Sequence, residues 1–432
     1  MVISSSGLLM DVLRQFHLLT EKQLVQLPLL VQGRCGDARL LAKMLIRKGW
    51  LSVYQVNQLL AGNGKDLVIG PYLVLDKLGQ GGLSQVLRAR HRETNSLFAI
   101  KMIRPEVFAS PEGRTQFLQE VEAMARLDHP NVVQFCDADQ HADTYYFAME
   151  YVEGTDLGKV IRLSGALPVH EACDYVRQAA LGLQHAYERN LIHRDIKPVN
   201  LFLTYQSESK SSHNLLAAAG AAAPAGRAAR APIQLKPLIK ILDWGLASLR
   251  SPKGLCRDST IELIERSVVG TADYLSPEQA RNANAVDIRG DIYSLGCSLY
   301  YLLTGQAPFP DGSLMQKILA HQQAQPRPID EFRTDVPAGV IAIVKRMMAK
   351  RPEDRFQTPA SVALSLLSFT RQAQCAPSNG APPTPKGSPP AGNRDDTPLP
   401  AVLASRSQHF ERLPQSGGPR GRDSIDAASS SK

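Results

Sequence analysis

Apolar positions in the first 66 residues recur every three or four places. The runs Asp11–Leu19, Glu21–Leu29, Ala38–Lys48 and Val53–Leu60 each gather them on one side of a helix, so a small helical extension is predicted there. Thr20 and Ser52 stand directly before two of these runs, where a side-chain oxygen caps a first turn. Gly62, Gly64 and the pair Gly70–Pro71 then break the pattern. From Tyr72 the character changes. Tyr72–Leu78, Ser84–Arg90 and Leu97–Ile103 alternate or run apolar as strands do, a helix-periodic stretch covers Arg114–Leu127, and Val132–Cys136 and Tyr145–Tyr151 read as two further strands. Beyond Thr155 helical patterning dominates, over Ala172–Arg189, Asp291–Leu303, Leu314–Gln322 and Val340–Met348. A strand-rich front and a helix-rich back predict an α+β chain with two lobes.

Two stretches carry neither period. Residues 206–236 pass from Ser, Lys and Glu into an Ala/Gly/Pro/Arg-rich run, and residues 373–432 are rich in Pro, Gly and Ser. Neither holds enough apolar surface to offset its ordering entropy, so both are expected to be disordered. The remaining composition is that of a globular protein: 432 residues, 44% hydrophobic and 21% charged. The net charge of +8 is scattered, which argues against a nucleic-acid partner. The 6 cysteines form no CxxC pair and no zinc-ligand rhythm, so no disulfide frame and no structural metal are expected. No apolar run approaches the ~20 residues that span a bilayer; the best candidate, Leu215–Ala225, is short and runs into Pro224 and Arg227. With no secretory leader pattern either, a cytoplasmic protein without a membrane span is expected.

The chemistry begins at Gly79-Gln80-Gly81-Gly82-Leu83-Ser84, between two strand-like runs. Glycines let backbone N–H groups approach a phosphate closely, although such a stretch alone is more often only a turn. Lys101 follows inside an apolar strand, where an unpaired ammonium costs several kcal/mol. Glu120 on the next helix is its expected partner, with a snorkelling surface lysine as the other reading. The decisive segment is His193-Arg194-Asp195-Ile196-Lys197-Pro198-Val199-Asn200. Asp195 can accept a proton from a hydroxyl, Lys197 can neutralise a transferring phosphoryl group, and Asn200 can hold a metal ion. A second apolar run, Ile239–Leu242, delivers Asp243-Trp244-Gly245 and with it another carboxylate suited to Mg²⁺.

With Gly270–Glu278, Asp287, Asp291 and Arg355 following in order, residues 72–368 resemble a bacterial eukaryotic-like (Hanks-type) Ser/Thr protein kinase domain. The resemblance implies the bilobal kinase fold, ATP as cofactor with Mg²⁺ (Mn²⁺ as a substitute), and protein substrates bearing Ser or Thr. It further implies that Gly79, Gly81 and Ser84 form the nucleotide loop, that Lys101 holds the α- and β-phosphates, and that Glu120 positions Lys101. Asp195 then matches the catalytic base, Lys197 the phosphate-contacting lysine, and Asn200 and Asp243 the metal ligands. Met149 falls at the gatekeeper, Glu150 and Val152 offer backbone hydrogen bonds to adenine, and Asp156 lies near the ribose. Leu78, Val86, Ala99 and Phe202 are the apolar walls, and Glu278 with Arg355 matches a buried ion pair of the large lobe.

Three departures stand out. Ser84 replaces the third glycine, Trp244 replaces the usual phenylalanine with a larger ring whose N–H needs a partner, and the stretch from Asn200 to Asp243 is far longer than the family's short hairpin. Arg194 wants an anionic partner, and Ser259, Thr260 and Ser267 are candidates for phosphorylation in trans, through self-association. All members of the catalytic set are present. An active, self-phosphorylating kinase is therefore expected over the alternative, a pseudokinase-like nucleotide-binding scaffold.

Overall fold

The computed structural model describes residues 3–31, 36–81, 84–103, 119, 121–141, 144–207, 235–244, 272–281 and 286–371. Four helices open the chain: α1 (Ser6–Gln15), α2 (Glu21–Val31), α3 (Ala38–Arg47) and α4 (Val53–Leu60). Their starts are set by caps. Ser5 accepts from the Leu8 N–H, Asp37 from Arg39, and Ser52 and Gln55 close a reciprocal capping box at α4. Thr20 and Gln23 make the same two-way exchange before α2. Leu9, Leu13, Leu27, Leu45 and Leu59 are buried between the helices, each contributing on the order of 2 kcal/mol.

The next element is a six-stranded antiparallel sheet in the order β1-β2-β3-β4-β6-β5. Its strands are β1 (Val68–Ile69), β2 (Tyr72–Gln80), β3 (Ser84–His91), β4 (Leu97–Ile103), β5 (Phe135–His141) and β6 (Thr144–Glu150). Side-chain alternation divides it into two faces. Val74, Leu87, Ala89, Phe98, Ile100, Tyr146 and Ala148 share one apolar cluster with the four helices. Ala99, Ile103, Phe147 and Met149 on the opposite face join the cluster that runs into the helical lobe.

The strand expected at Val132–Cys136 is displaced. Val132 and Val133 belong to neither β5 nor the sheet; they are zipped to Ile241 in the other lobe through a bridge and the Val133 N–H···O=C Ile241 bond of 3.0 Å. The true β5 is polar because it is a sheet edge, and polar residues on an edge discourage further pairing.

The second lobe contains a three-stranded sheet, β7 (Thr155–Asp156), β8 (Leu201–Ser207) and β9 (Leu235–Ile241), with α5 (Leu157–Ser164) and α6 (Val169–Tyr187). It is completed by α7 (Pro277–Arg281), α8 (Ile288–Thr304), α9 (Leu314–Gln323), α10 (Ala338–Met347) and α11 (Pro359–Leu366). Helix α8 is buried on nearly every side and carries no wide polar stripe. A Cβ on its Gly296 would sit 2.7 Å from Met347 Cβ, so glycine there sets how closely α10 packs. Arg355, buried at 1% exposure, makes a two-pronged pair with Glu278 at 2.6 and 2.8 Å and bonds three backbone carbonyls, as the sequence pattern implied.

Strands β8 and β9 extend through residues 206–207 and 235–236, so the ends of the stretch expected to be disordered are ladder residues. Its interior and the tail 373–432 lie outside the described residues. Among the described residues Cys136, Cys173 and Cys297 are free thiols, and no helix is long and apolar enough to cross a membrane.

Candidate active site

The loop between α6 and β8 is held from beneath by one carboxylate. Asp291 of α8, 1% exposed, accepts the backbone N–H groups of His193 and Arg194, both at 2.7 Å. Burial pushes its carboxyl above the ordinary value, while His193, Arg194 and these two bonds restrain the shift. Arg194 consequently sits at φ +65, a conformation a non-glycine residue adopts only when its surroundings impose it. Asp291 had a place in the sequence motif but no role. The signal was available, since an aspartate inside an otherwise apolar helix must find donors.

The imidazole of His193 is fixed as well. Leu242 O can only accept and the Asp195 N–H can only donate, so Nε2 carries the hydrogen (2.8 Å) and Nδ1 the lone pair (3.2 Å). Trp244 packs edge-on against this ring at 4.8 Å and is 2% exposed. Its indole N–H donates to Ile241 O at 3.3 Å, so the larger ring is accommodated with its polar atom satisfied.

Asp195 is 8% exposed, and Lys197 Nζ lies 2.9 Å from its Oδ1 and 3.0 Å from its Oδ2. Asn200 Nδ2 donates to Asp195 O at 2.7 Å, and the Leu242 N–H to Asn200 O at 2.9 Å. These bonds carry β8 away from the loop and bring the end of β9 back beside it, which delivers Asp243. That residue, at φ +61, reaches Lys101 of the other lobe with Oδ1 at 2.8 Å from Nζ. Desolvation works to raise the Asp243 carboxyl. The Lys101 ammonium and its hydrogen bond, with His193 and Lys197 behind them, outweigh it and hold the group below the usual aspartate range. Glu120, the expected partner of Lys101, lies outside the described residues; the partner seen is Asp243.

Above this junction the β2–β3 hairpin pairs Gly79 with Val86, and the Gly81 N–H donates to Ser84 O at 2.8 Å. A Cβ at Gly79 would meet nothing within 4 Å, and one at Gly81 would find only Ser84, no nearer than 3.8 Å. Among the described residues, therefore, no close neighbour demands glycine at either position. Gly82 and Leu83 lie outside the described residues. Ala99 and Met149 are cross-strand partners and buried, Val86 and Phe202 are half-buried, and Leu78 is exposed at the mouth.

Glu150 gives its N–H to Gln134 O at 3.0 Å, while its carboxylate takes the Gln134 N–H (2.9 Å) and Lys240 Nζ (2.5 Å). Val152 is half-buried beyond it, and Asp156, facing Phe202 across β7–β8, caps α5 through the Lys159 N–H at 2.7 Å. Beyond the loop, Asp273 pairs with Lys317 of α9 at 2.6 Å. Ser259, Thr260, Ser267 and Thr271 lie outside the described residues.

A sheet lobe bearing a glycine hairpin and a buried lysine, set over a helical lobe bearing a carboxylate–lysine pair and an Asn/Asp pair, is the architecture of protein kinases. The protein kinase domain family matches residues 72–366, and the chain belongs to that family. It is 32% identical over 301 residues to the serine/threonine-protein kinase PknB of Mycobacterium leprae, covering 68% of this chain and 42% of that protein. It is likewise 32% identical over 291 residues to the serine/threonine-protein kinase PrkC of Bacillus subtilis, covering 67% and 39%. The chain thus spans about two fifths of the length of these curated relatives. Among solved structures, the Mycobacterium tuberculosis PknI kinase domain shares the fold at a TM-score of 0.50 and 24% identity, over 69% of this chain and 96% of that one.

Proposed function

We propose that this protein transfers the γ-phosphate of ATP to Ser or Thr hydroxyls of proteins. The observation that carries the reading is the meeting, at one junction, of the Lys101–Asp243 pair with the Asp195–Lys197–Asn200 loop. The names of PknB and PrkC, both serine/threonine-protein kinases, support the choice of hydroxyl. In the proposed step the substrate oxygen bonds to the γ-phosphorus in line with the departing ADP. Asp195 takes the hydroxyl proton, Lys197 beside it offsets the charge on the transferring group, and the β–γ bridging bond breaks with its electrons going to ADP.

Asn200 spends its Nδ2 on Asp195 and so leaves Oδ1 for a cation, and Asp243 offers the oxygen not nearest Lys101. Two hard oxygen donors suit Mg²⁺, and Mn²⁺ in its place, because such an ion takes its remaining ligands from phosphates and water. The described residues contain no cluster of three or more acidic, His or Cys side chains that would cage a metal by protein alone, which is consistent with that sharing. The cation, when bound, neutralises phosphate charge. Self-association for phosphorylation in trans at Ser259, Thr260 and Ser267, and a cytoplasmic site of action, complete the proposal.

Transfer from labelled ATP with Mg²⁺ tests it, comparing the wild type with Asp195→Asn. Incorporation on Ser or Thr that vanishes in the variant is expected. Thermal stabilisation by ATP without any incorporation, even after treatment with an active kinase, would instead establish the nucleotide-binding scaffold.

A further inference from the structure

The helical extension meets the sheet through more than apolar packing. Beyond Leu73, strand β2 has no strand partner on its β1 side among the described residues, because β1 pairs with Tyr72 and Leu73. The N-terminus of α4 covers that edge. Ser52 Oγ donates to Leu75 O, and Gln55 Nε2, on a residue 2% exposed, donates to Val74 O at 2.7 Å. Consecutive carbonyls of a regular strand point to opposite edges, so one helix end reaches both only where the strand is irregular. The β2–β3 register does shift between Val74 and Asp76. Each side chain also works within α4: Ser52 Oγ accepts the Gln55 N–H at 3.0 Å, and Gln55 Oε1 the Ser52 N–H at 2.9 Å. The four bonds tie a half-buried Ser52 to a buried Gln55 and to the strand, and a lost partner at Gln55 is costly.

From the pinned bulge, β2 runs only a few residues to Leu78 and Gly79, passing a second register shift between Lys77 and Gly79, and ends at Gln80 just before Gly81. We propose that Ser52 and Gln55 are positioning residues for the nucleotide loop. By fixing the β2 bulge from the outer side of the sheet, they set where Leu78–Gly81 lie over the inner side. The helical extension is thereby a working part of the phosphate-binding apparatus, an inference that rests on the ATP site proposed above.

The test uses the full chain and two substitutions that keep the α4 cap and cut its link to β2. Gln55→Glu retains an oxygen for the Ser52 N–H and sets the other against Val74 O. Ser52→Asp retains an acceptor for the Gln55 N–H and lacks the hydroxyl proton that Leu75 O accepts. Ser5→Ala, which uncaps α1 without touching β2, controls for loosening of the helices in general. KM for ATP should rise about tenfold in both link variants, the size of effect that follows loss of a buried hydrogen bond, with kcat near wild type. Amide exchange over residues 76–81 in the nucleotide-free chain should quicken by a similar factor, and Ser5→Ala should change neither quantity. Unchanged KM and exchange in both link variants would overturn the proposal, as would an equal rise in Ser5→Ala. Because exchange is read without nucleotide, it decides the clamp even if the wild type transfers no phosphate. That second failure would count against the ATP reading alone.

Discussion

Ile100 and Lys101 are neighbours on β4, and they face opposite ways. Ile100 is fully buried among the helices of the extension, in a cluster of apolar side chains. Lys101, nearly as buried at 4%, points into the junction and takes its partner, Asp243, from the other lobe. Strands covered on both faces read as continuous apolar runs, which is why β4 shows no polar stripe. The comparison separates two jobs within one strand. The outer face holds the sheet together, and the inner face holds a charge that folding alone would not choose.

Substitutions should split along that line. Lys101→Met removes an ammonium aimed at the site, and transfer measured with labelled ATP should fall by about 10²–10³-fold. Ile100→Ala should do the reverse: denaturant melts should show a loss of about 2–5 kcal/mol, with turnover per folded molecule unchanged. If Ile100→Ala instead lowers kcat with stability intact, the two faces are not separable. A smaller contrast comes from Gly79→Ala. Its Cβ would meet nothing within 4 Å among the described residues, so the melting temperature should hold while ATP affinity falls about tenfold, as one hydrogen bond's worth of phosphate contact is blocked.

Much of this was legible in the sequence for a physical reason. A lysine in an apolar strand and an aspartate ending an apolar strand both violate patterning, and violations mark places where a partner must exist. Asp195 and Asn200 stood out differently, by their spacing five apart in one loop with Lys197 between them, and not by a break in patterning. Legibility failed in two ways. The strand β5 was placed too early because an exposed edge is written in polar letters, while Val132 and Val133 are apolar on behalf of the other lobe. The clamp of Ser52 and Gln55 was half visible. Ser52 advertised a cap, but a capping residue's second hydrogen bond, to a strand far along the chain, leaves no local pattern.

The finest probe of the inner face is proton titration of Asp243. Its carboxyl is held low by Lys101 against desolvation, so in the folded protein it stays ionised below the ordinary aspartate value of about 3.9. A depressed carboxyl contributes stability that is present above the unfolded-state value and is lost as pH falls through the folded one, so this contribution is confined to the acid limb below about pH 4. The side chain is 41% exposed, so solvent screening keeps the stability effect small, and the titration itself is the better observable. With Lys101→Met the largest opposing charge is gone while the desolvation remains. The carboxyl resonance of Asp243, followed by NMR, should then titrate at higher pH than in the wild type. Coincident titration curves would show that Lys101 does not hold Asp243 ionised, and that the charge on the inner face is kept there by something other than its partner across the cleft.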